Sequence, residues 1–102
     1  MESRKNLWSE TIEVLKENGK TWRDVEFVCF DGEDYHCEIG NFETIARNTN
    51  YDNGYGSIKI SGILKVVGKD WWLERGEYDG SEWWEYKTMP IRPAEKINVT
   101  EL

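Results

Sequence analysis

The segment Trp71–Tyr86 reads WWLERGEYDGSEWWEY, with Asp79 and Gly80 between two runs of aromatic and charged residues. Asp-Gly between alternating runs is the strongest short-range signal for a two-residue hairpin loop, because both loop residues must take positive φ. Strands joined so tightly are antiparallel. With that loop, Gly76 faces Trp83, Arg75 faces Trp84, Glu74 faces Glu85 and Leu73 faces Tyr86. Trp71, Leu73, Trp84 and Tyr86 then share one side, the expected core. Trp72, Glu74, Trp83, Glu85 and Lys87 share the other, with Trp83 over the bare Gly76. A three-residue loop would instead set Glu74 among the inward aromatics, and burying an unpaired carboxylate costs several kcal/mol. Arg75 beneath Trp84 costs less, because guanidinium stacks on indole. The two-residue loop is therefore expected. Both registers turn Trp84 and Tyr86 inward and Trp83 outward.

The rest of the chain predicts a single α+β domain over residues 1–102: an N-terminal helix within 1–20, a sheet region over 21–88 and a tail over 89–102. Leu7, Trp8, Thr11, Ile12 and Leu15 recur at helical spacing, so residues 6–18 are expected as a helix, capped by Ser3 or Ser9 and stopped at Gly19. Residues 21–30, TWRDVEFVCF, have strand character, and the turn DGED leads into a return strand YHCEI. Asn41 is expected to cap a short helix, FETIARN, with Phe42, Ile45 and Ala46 inward. NTNYDNGYGS is a long polar loop. The strand ILKVV, the turn GKD and the Trp-rich hairpin complete a three-strand meander. The fold expected is an antiparallel sheet of about five strands packed on the N-terminal helix, with a second short helix. In the tail, MPIRPAEKINVTEL, the stretch KINV is a candidate edge strand.

The 102 residues include 6 Trp, 5 Tyr and 3 Phe, too many aromatics for a disordered chain. No run approaches the roughly 18 apolar residues that a membrane span needs. A cytoplasmic protein with two reduced cysteines is expected, in which the sequon NVT at 98–100 carries no meaning. The formal net charge of −7 disfavours bare nucleic acid and anionic membrane, and favours either a basic partner or simply the solubility of a solvated acidic surface. Glu74, Glu77, Asp79, Glu82 and Glu85 fall within twelve residues, opposed by Arg75 alone. With Trp72 and Trp83 as anchors, this hairpin face and its turn form the candidate binding surface for an Arg- or Lys-rich protein. The alternative is that the two indoles cover each other and Gly76 and rigidify the hairpin.

Catalytic chemistry has little to stand on. His36 and Cys37 are adjacent in a strand and should point to opposite faces, and Cys29 with this pair lacks a fourth metal ligand and any recognised spacing. NTNYDNGYG fails as a calcium loop: the sixth position from Asn48 is Asn53 and the twelfth is Lys59. There is neither a phosphate-binding loop nor a dinucleotide fingerprint. Glu74 and Glu85 beside tryptophans suit a glycosidase or carbohydrate-binding module in residue type, but so short a chain predicts no cleft. No metal, cofactor or enzymatic activity is expected, and the chain is expected as a monomer or homodimer.

NTNYDNGYG followed by LKVVGKDWWLERGEYDGSEWWEYKTMP resembles a family of small uncharacterised proteins encoded by phages and mobile elements of Firmicutes. The resemblance runs from about Thr21 to Pro90. It implies a phage-like genetic setting and no activity for any residue. By analogy of size, charge and setting, that implies an inhibitor of a host defence nuclease, in the manner of anti-CRISPR proteins that imitate nucleic acid. The expected target is a basic nucleic-acid-binding groove of a host enzyme such as a CRISPR effector. A generic structural or interaction role in such an element is the second expectation.

Overall fold

The computed structural model describes residues 4–52 and 57–102. The chain is α+β: two helices, a five-strand antiparallel sheet and a separate two-strand sheet. Strand β1 (Arg4–Asn6) runs directly into helix α1 (Leu7–Glu17). The cap is Asn6, not Ser3 or Ser9. Its Oδ1 accepts the Ser9 backbone N–H at 2.9 Å, so Ser9 supplies the donor instead of the acceptor. Ser3 lies outside the described residues. Gly19 at φ 72° ends the helix in the left-handed conformation that the sequence predicts.

Residues 21–26 differ from the strand expected there. Asp24 accepts the Thr21 backbone N–H at 2.8 Å and closes a 3-10 turn over Trp22–Asp24, so the strand β2 spans only Phe27–Phe30. The turn carries Trp22 onto Trp8 at 4.8 Å and onto Phe42 at 5.6 Å between ring centroids. The return strand β3 shortens to His36–Cys37. Helix α2 starts at Ile39, two residues before the predicted cap Asn41, because the Glu38 carboxylate accepts the Gly40 N–H at 3.2 Å. Phe42 and Ala46, one helical turn apart, are buried. Ile45, expected inward, is 56% exposed, because it falls off the stripe that this pair defines.

Residues 53–56 of the polar loop lie outside the described residues. Its start is β4 (Asn50–Asp52), which pairs antiparallel with β1 and buries Tyr51. The meander follows as β5 (Leu64–Val67), β6 (Trp71–Tyr78) and β7 (Ser81–Thr88). Sheet order is β3-β2-β5-β6-β7, every pair antiparallel. Asp79 at φ 51° and Gly80 at φ 88° form the two-residue loop, and all four pairings expected for the hairpin are present. The tail from Met89 onward forms no strand, KINV included, and is exposed along its length.

One face of the five-strand sheet is the core face. Val28, Val66, Leu73 and Tyr86 form a continuous cross-strand row on it, the first three fully buried. Leu7, Leu15, Phe42 and Ala46 of the two helices belong to the same apolar cluster. Trp84 on this face donates its indole N–H to Thr11 Oγ1 at 2.9 Å, and Thr11 donates in turn to the Leu7 carbonyl at 2.7 Å. A buried indole thus meets a buried hydroxyl, and neither polar group is orphaned.

Candidate functional site

The opposite face of the sheet has neither helix on it, and its side chains fall in register across the strands. Phe27, Val67, Trp72 and Lys87 form one row. His36, Cys29, Lys65, Glu74 and Glu85 form the next, spanning all five strands. Beyond it Trp83 lies over Gly76, where an added Cβ would come within 2.6 Å of the indole nitrogen and of a Glu85 oxygen. Glycine is required there because the indole occupies the place a side chain would fill.

Trp72 and Trp83 therefore stand on either side of the Glu74–Glu85 row, four residues apart along each strand. They do not cover each other: among the described residues no ring contact joins them. Each is held by the carboxylate two residues on. Trp72 Nε1 donates to Glu74 Oε1 at 3.1 Å, and Trp83 Nε1 donates to Glu85 Oε2 at 3.0 Å. Residues i and i+2 lie on the same side of a strand, so the spacing Trp-x-Glu, used twice, fixes both indoles. Lys87 Nζ stands 3.6 Å from Glu85, and Lys65 Nζ stands 3.6 Å from Asp31.

Two of the predicted patch residues lie elsewhere. Glu82 points to the core face and is buried, and Glu77, directly across from it, shares that side at the exposed end of β6. The cause is the alternation that turns Trp84 inward: Glu82 has the same parity. Asp79 sits exposed in the hairpin turn. Arg75 does not oppose the outer carboxylates, because it too faces inward. The cations among the outer carboxylates are Lys65 and Lys87.

Glu82 and Arg75 instead belong to a buried network invisible at the level of local patterning. The Arg75 guanidinium lies 4.7 Å from the Trp84 ring and reaches Glu82 Oε1 at 3.2 Å, Tyr51 Oη at 3.0 Å and Glu10 Oε1 at 3.4 Å. Tyr51 donates to Glu10 Oε1 at 2.6 Å. Glu82 also accepts the backbone N–H groups of Lys59 and Ile60, at 2.7 and 3.0 Å. One carboxylate thereby ties the segment before β5 to β7, while Glu10 and Tyr51 bring in α1 and β4. The one signal in the sequence is strand parity, which puts Arg75 and Glu82 on one face.

Burial, and then the hydrogen bond to Glu10, push the Tyr51 phenol above its ordinary range. A phenol that stays neutral when folded, but ionises near pH ~10 when unfolded, stabilises the fold fully below that pH. That contribution is lost as pH rises beyond it. Tyr51→Phe is expected to cost about 1–2 kcal/mol at neutral pH through two lost hydrogen bonds. It should also flatten the alkaline fall in stability. Urea titrations of both forms between pH 8 and about 11 check this; parallel curves would contradict it.

At the far end of the outer face, Phe27, Cys29, Glu33, Asp34, Tyr35 and His36 line a depression of about 550 Å³. Cys29 is paired with His36 across β2 and β3, while Cys37 pairs with Val28 on the other face. Burial raises both thiols above their ordinary range, the opposite of what a nucleophilic thiolate needs. Among the described residues no group of three His, Cys, Asp or Glu side chains is placed to hold a metal ion, and no helix is long and apolar enough to cross a membrane.

The fold and this face define an α+β arrangement in which, among the described residues, one sheet face carries both helices and the other carries neither. Comparison with known proteins adds no relative: no family model, no curated protein and no solved structure matches the chain.

Proposed function

We propose that the protein is a non-catalytic binding module that takes a basic protein surface onto the uncovered face of its sheet. The observation that carries this reading is the placement of Glu74 directly opposite Glu85, between the rows that hold Trp72 and Trp83. Like charges directly opposite each other repel, and a cation set between them removes the repulsion. Indole faces attract a guanidinium more than they attract other side chains of its size. An arginine of the partner would lie over the two carboxylates with an indole on either side. Lys87, beside Glu85 in the free chain, would yield its place. Both indoles are already oriented by their carboxylates, so little conformational entropy remains to be lost on binding. Asp79 and Glu77 at the exposed hairpin end add to the attraction, as does the net charge of −7. Such a field speeds association with a basic groove, and salt weakens it.

The phage-like setting implied by the sequence resemblance makes the target a nucleic-acid-binding groove of a host defence enzyme in the cytoplasm, a CRISPR effector among them. Inhibition then needs occupancy and no chemistry. Calorimetric titration with an arginine nonapeptide tests the site. The wild type is expected to bind, more weakly as salt rises, and to prefer the arginine to the lysine nonapeptide. The Trp72→Ala, Trp83→Ala variant should lose about tenfold in affinity, some 1.4 kcal/mol, as expected for a lost cation–π grip. Glu74→Gln, Glu85→Gln should lose more. Equal binding by all three forms would overturn the proposal.

A further inference from the structure

The five-strand sheet ends in an open edge. The loop at Asp79–Gly80 makes Tyr78 and Ser81 a hydrogen-bonded pair, so alternation turns the backbone N–H and C=O groups of Trp84, Tyr86 and Thr88 away from β6. Among the described residues no strand pairs with that side of β7. An eight-residue edge strand is a ready template for a further strand, and proteins ordinarily cover or blunt such an edge.

Residues 89–102 follow β7 as an arm without helix or strand, of which only Met89, Pro90 and Ile91 line a depression with Lys20, Trp71 and Tyr86. Residues 89–102 are exposed throughout, with Met89, Ile91, Ile97, Val99 and Leu102 among the exposed large apolar side chains. The radius of gyration, 16.2 Å, exceeds the roughly 13 Å of a compact chain this long. Ile97 and Val99 alternate with Asn98 and Thr100, a β-branched strand pattern that pairs with no strand among the described residues.

We propose that this arm adds a strand to the open edge of β7 in a second copy of the chain, and that the exchange is reciprocal. The occupant of the edge is then the arm of the partner copy. The groove between β7 and α1 argues for it. That groove is lined by Glu13 and Glu17, by Glu10 of the buried network, by Lys5, and by Val14, Trp83 and Trp84. The arm brings Arg92 and Lys96 to the carboxylates, and Ile97 and Val99 to the apolar part. The chain cannot easily fold its own arm back instead. Met89–Ala94 contains Pro90 and Pro93, each of which biases the residue before it to extended backbone, so the segment runs out from the end of β7. An extended segment of this kind rises about 3 Å per residue and carries Ile97 away from its own β7. Reciprocal exchange makes a closed twofold dimer in which both edges are paired.

Light scattering of the 102-residue chain over a wide concentration range tests the proposal, with amide hydrogen exchange alongside. The wild type is expected to have the mass of two chains. Ile97→Asp, Val99→Asp and Arg92→Glu, Lys96→Glu change exposed residues, so both variants should keep the wild-type circular dichroism and have the mass of one chain. The amides of Trp84 and Tyr86 should be protected in the wild type and exchange at least tenfold faster in the variants. A wild type that stays monomeric throughout would overturn the proposal, as would variants that remain dimeric. A monomer with protected edge amides would overturn it as well, since the arm would then lie on its own chain. Trp72 lies on the other face of the sheet and does not line this groove, so Trp72→Ala should lose nonapeptide affinity and keep the mass of two chains, which separates this proposal from that one.

Discussion

Replacing Trp84 with alanine is expected to cost about 3–5 kcal/mol and to leave the chain close to unfolding at ambient temperature. The indole is buried against α1, its N–H is bonded to Thr11, and its face carries the Arg75 guanidinium. Truncation opens a cavity between helix and sheet and removes the polar link that fixes their spacing. It also strips the stacking partner from a buried cation. Trp83→Ala, one residue away, should cost about 1 kcal/mol, because that indole is only half-buried and lies over Gly76, outside the core cluster. Urea titrations of the two variants give the contrast directly. Equal losses would mean that the two faces of the hairpin had been exchanged.

The second large effect is expected at Arg75. Arg75→Met should cost about 3–5 kcal/mol, because it takes a bonded guanidinium away from the buried Glu82 carboxylate. The side chains of Arg75 and Glu82 are each only 2% exposed, so water cannot replace the lost partner. Replacing both at once, with Arg75→Met and Glu82→Met, removes that carboxylate as well. The double variant should therefore lose at least about 1–2 kcal/mol less than the sum of the single variants. Recovery will be partial, since Glu82 also accepts the N–H groups of Lys59 and Ile60. Additive losses would show that the pair is not coupled and that the network is not what ties the segment before β5 to the hairpin.

These two residues also mark where the sequence is readable. The hairpin is legible to the residue because three constraints agree: Asp79-Gly80 demands one loop, the aromatic alternation demands one face, and Glu74 forbids the shifted register. The same alternation, carried one step further, places Glu82 beside Trp84. The acidic composition of the turn obscures this, because a glutamate in a run of carboxylates reads as surface. Its burial depends on Arg75 and on two backbone N–H groups some twenty residues away, which no local pattern encodes. The strand expected over 21–30 fails in its first half for a similar reason: the Thr21–Asp24 hydrogen bond favours a tight turn over the strand preference of Trp22 and Val25. Asn6 as a cap is visible only once β1 is known to pair with β4, since that pairing sets where the strand ends and the helix begins. On the outer face, the doubled Trp-x-Glu spacing holds the geometry of the candidate site, and it is plain once the register is fixed.

The most direct test of the outer face as the binding surface is a titration of the ¹⁵N-labelled protein with the arginine nonapeptide, followed at the indole N–H resonances. The chain has 6 tryptophans, so each indole reports on its own surroundings. Trp72 and Trp83 have their indole N–H groups on Glu74 and Glu85, whereas Trp84 has its N–H on Thr11 in the core. The signals of Trp72 and Trp83 are predicted to shift together and to saturate with one affinity, while that of Trp84 stays in place. Shifts confined to Trp8, Trp22 or Trp84, or a titration that moves neither Trp72 nor Trp83, would contradict the account.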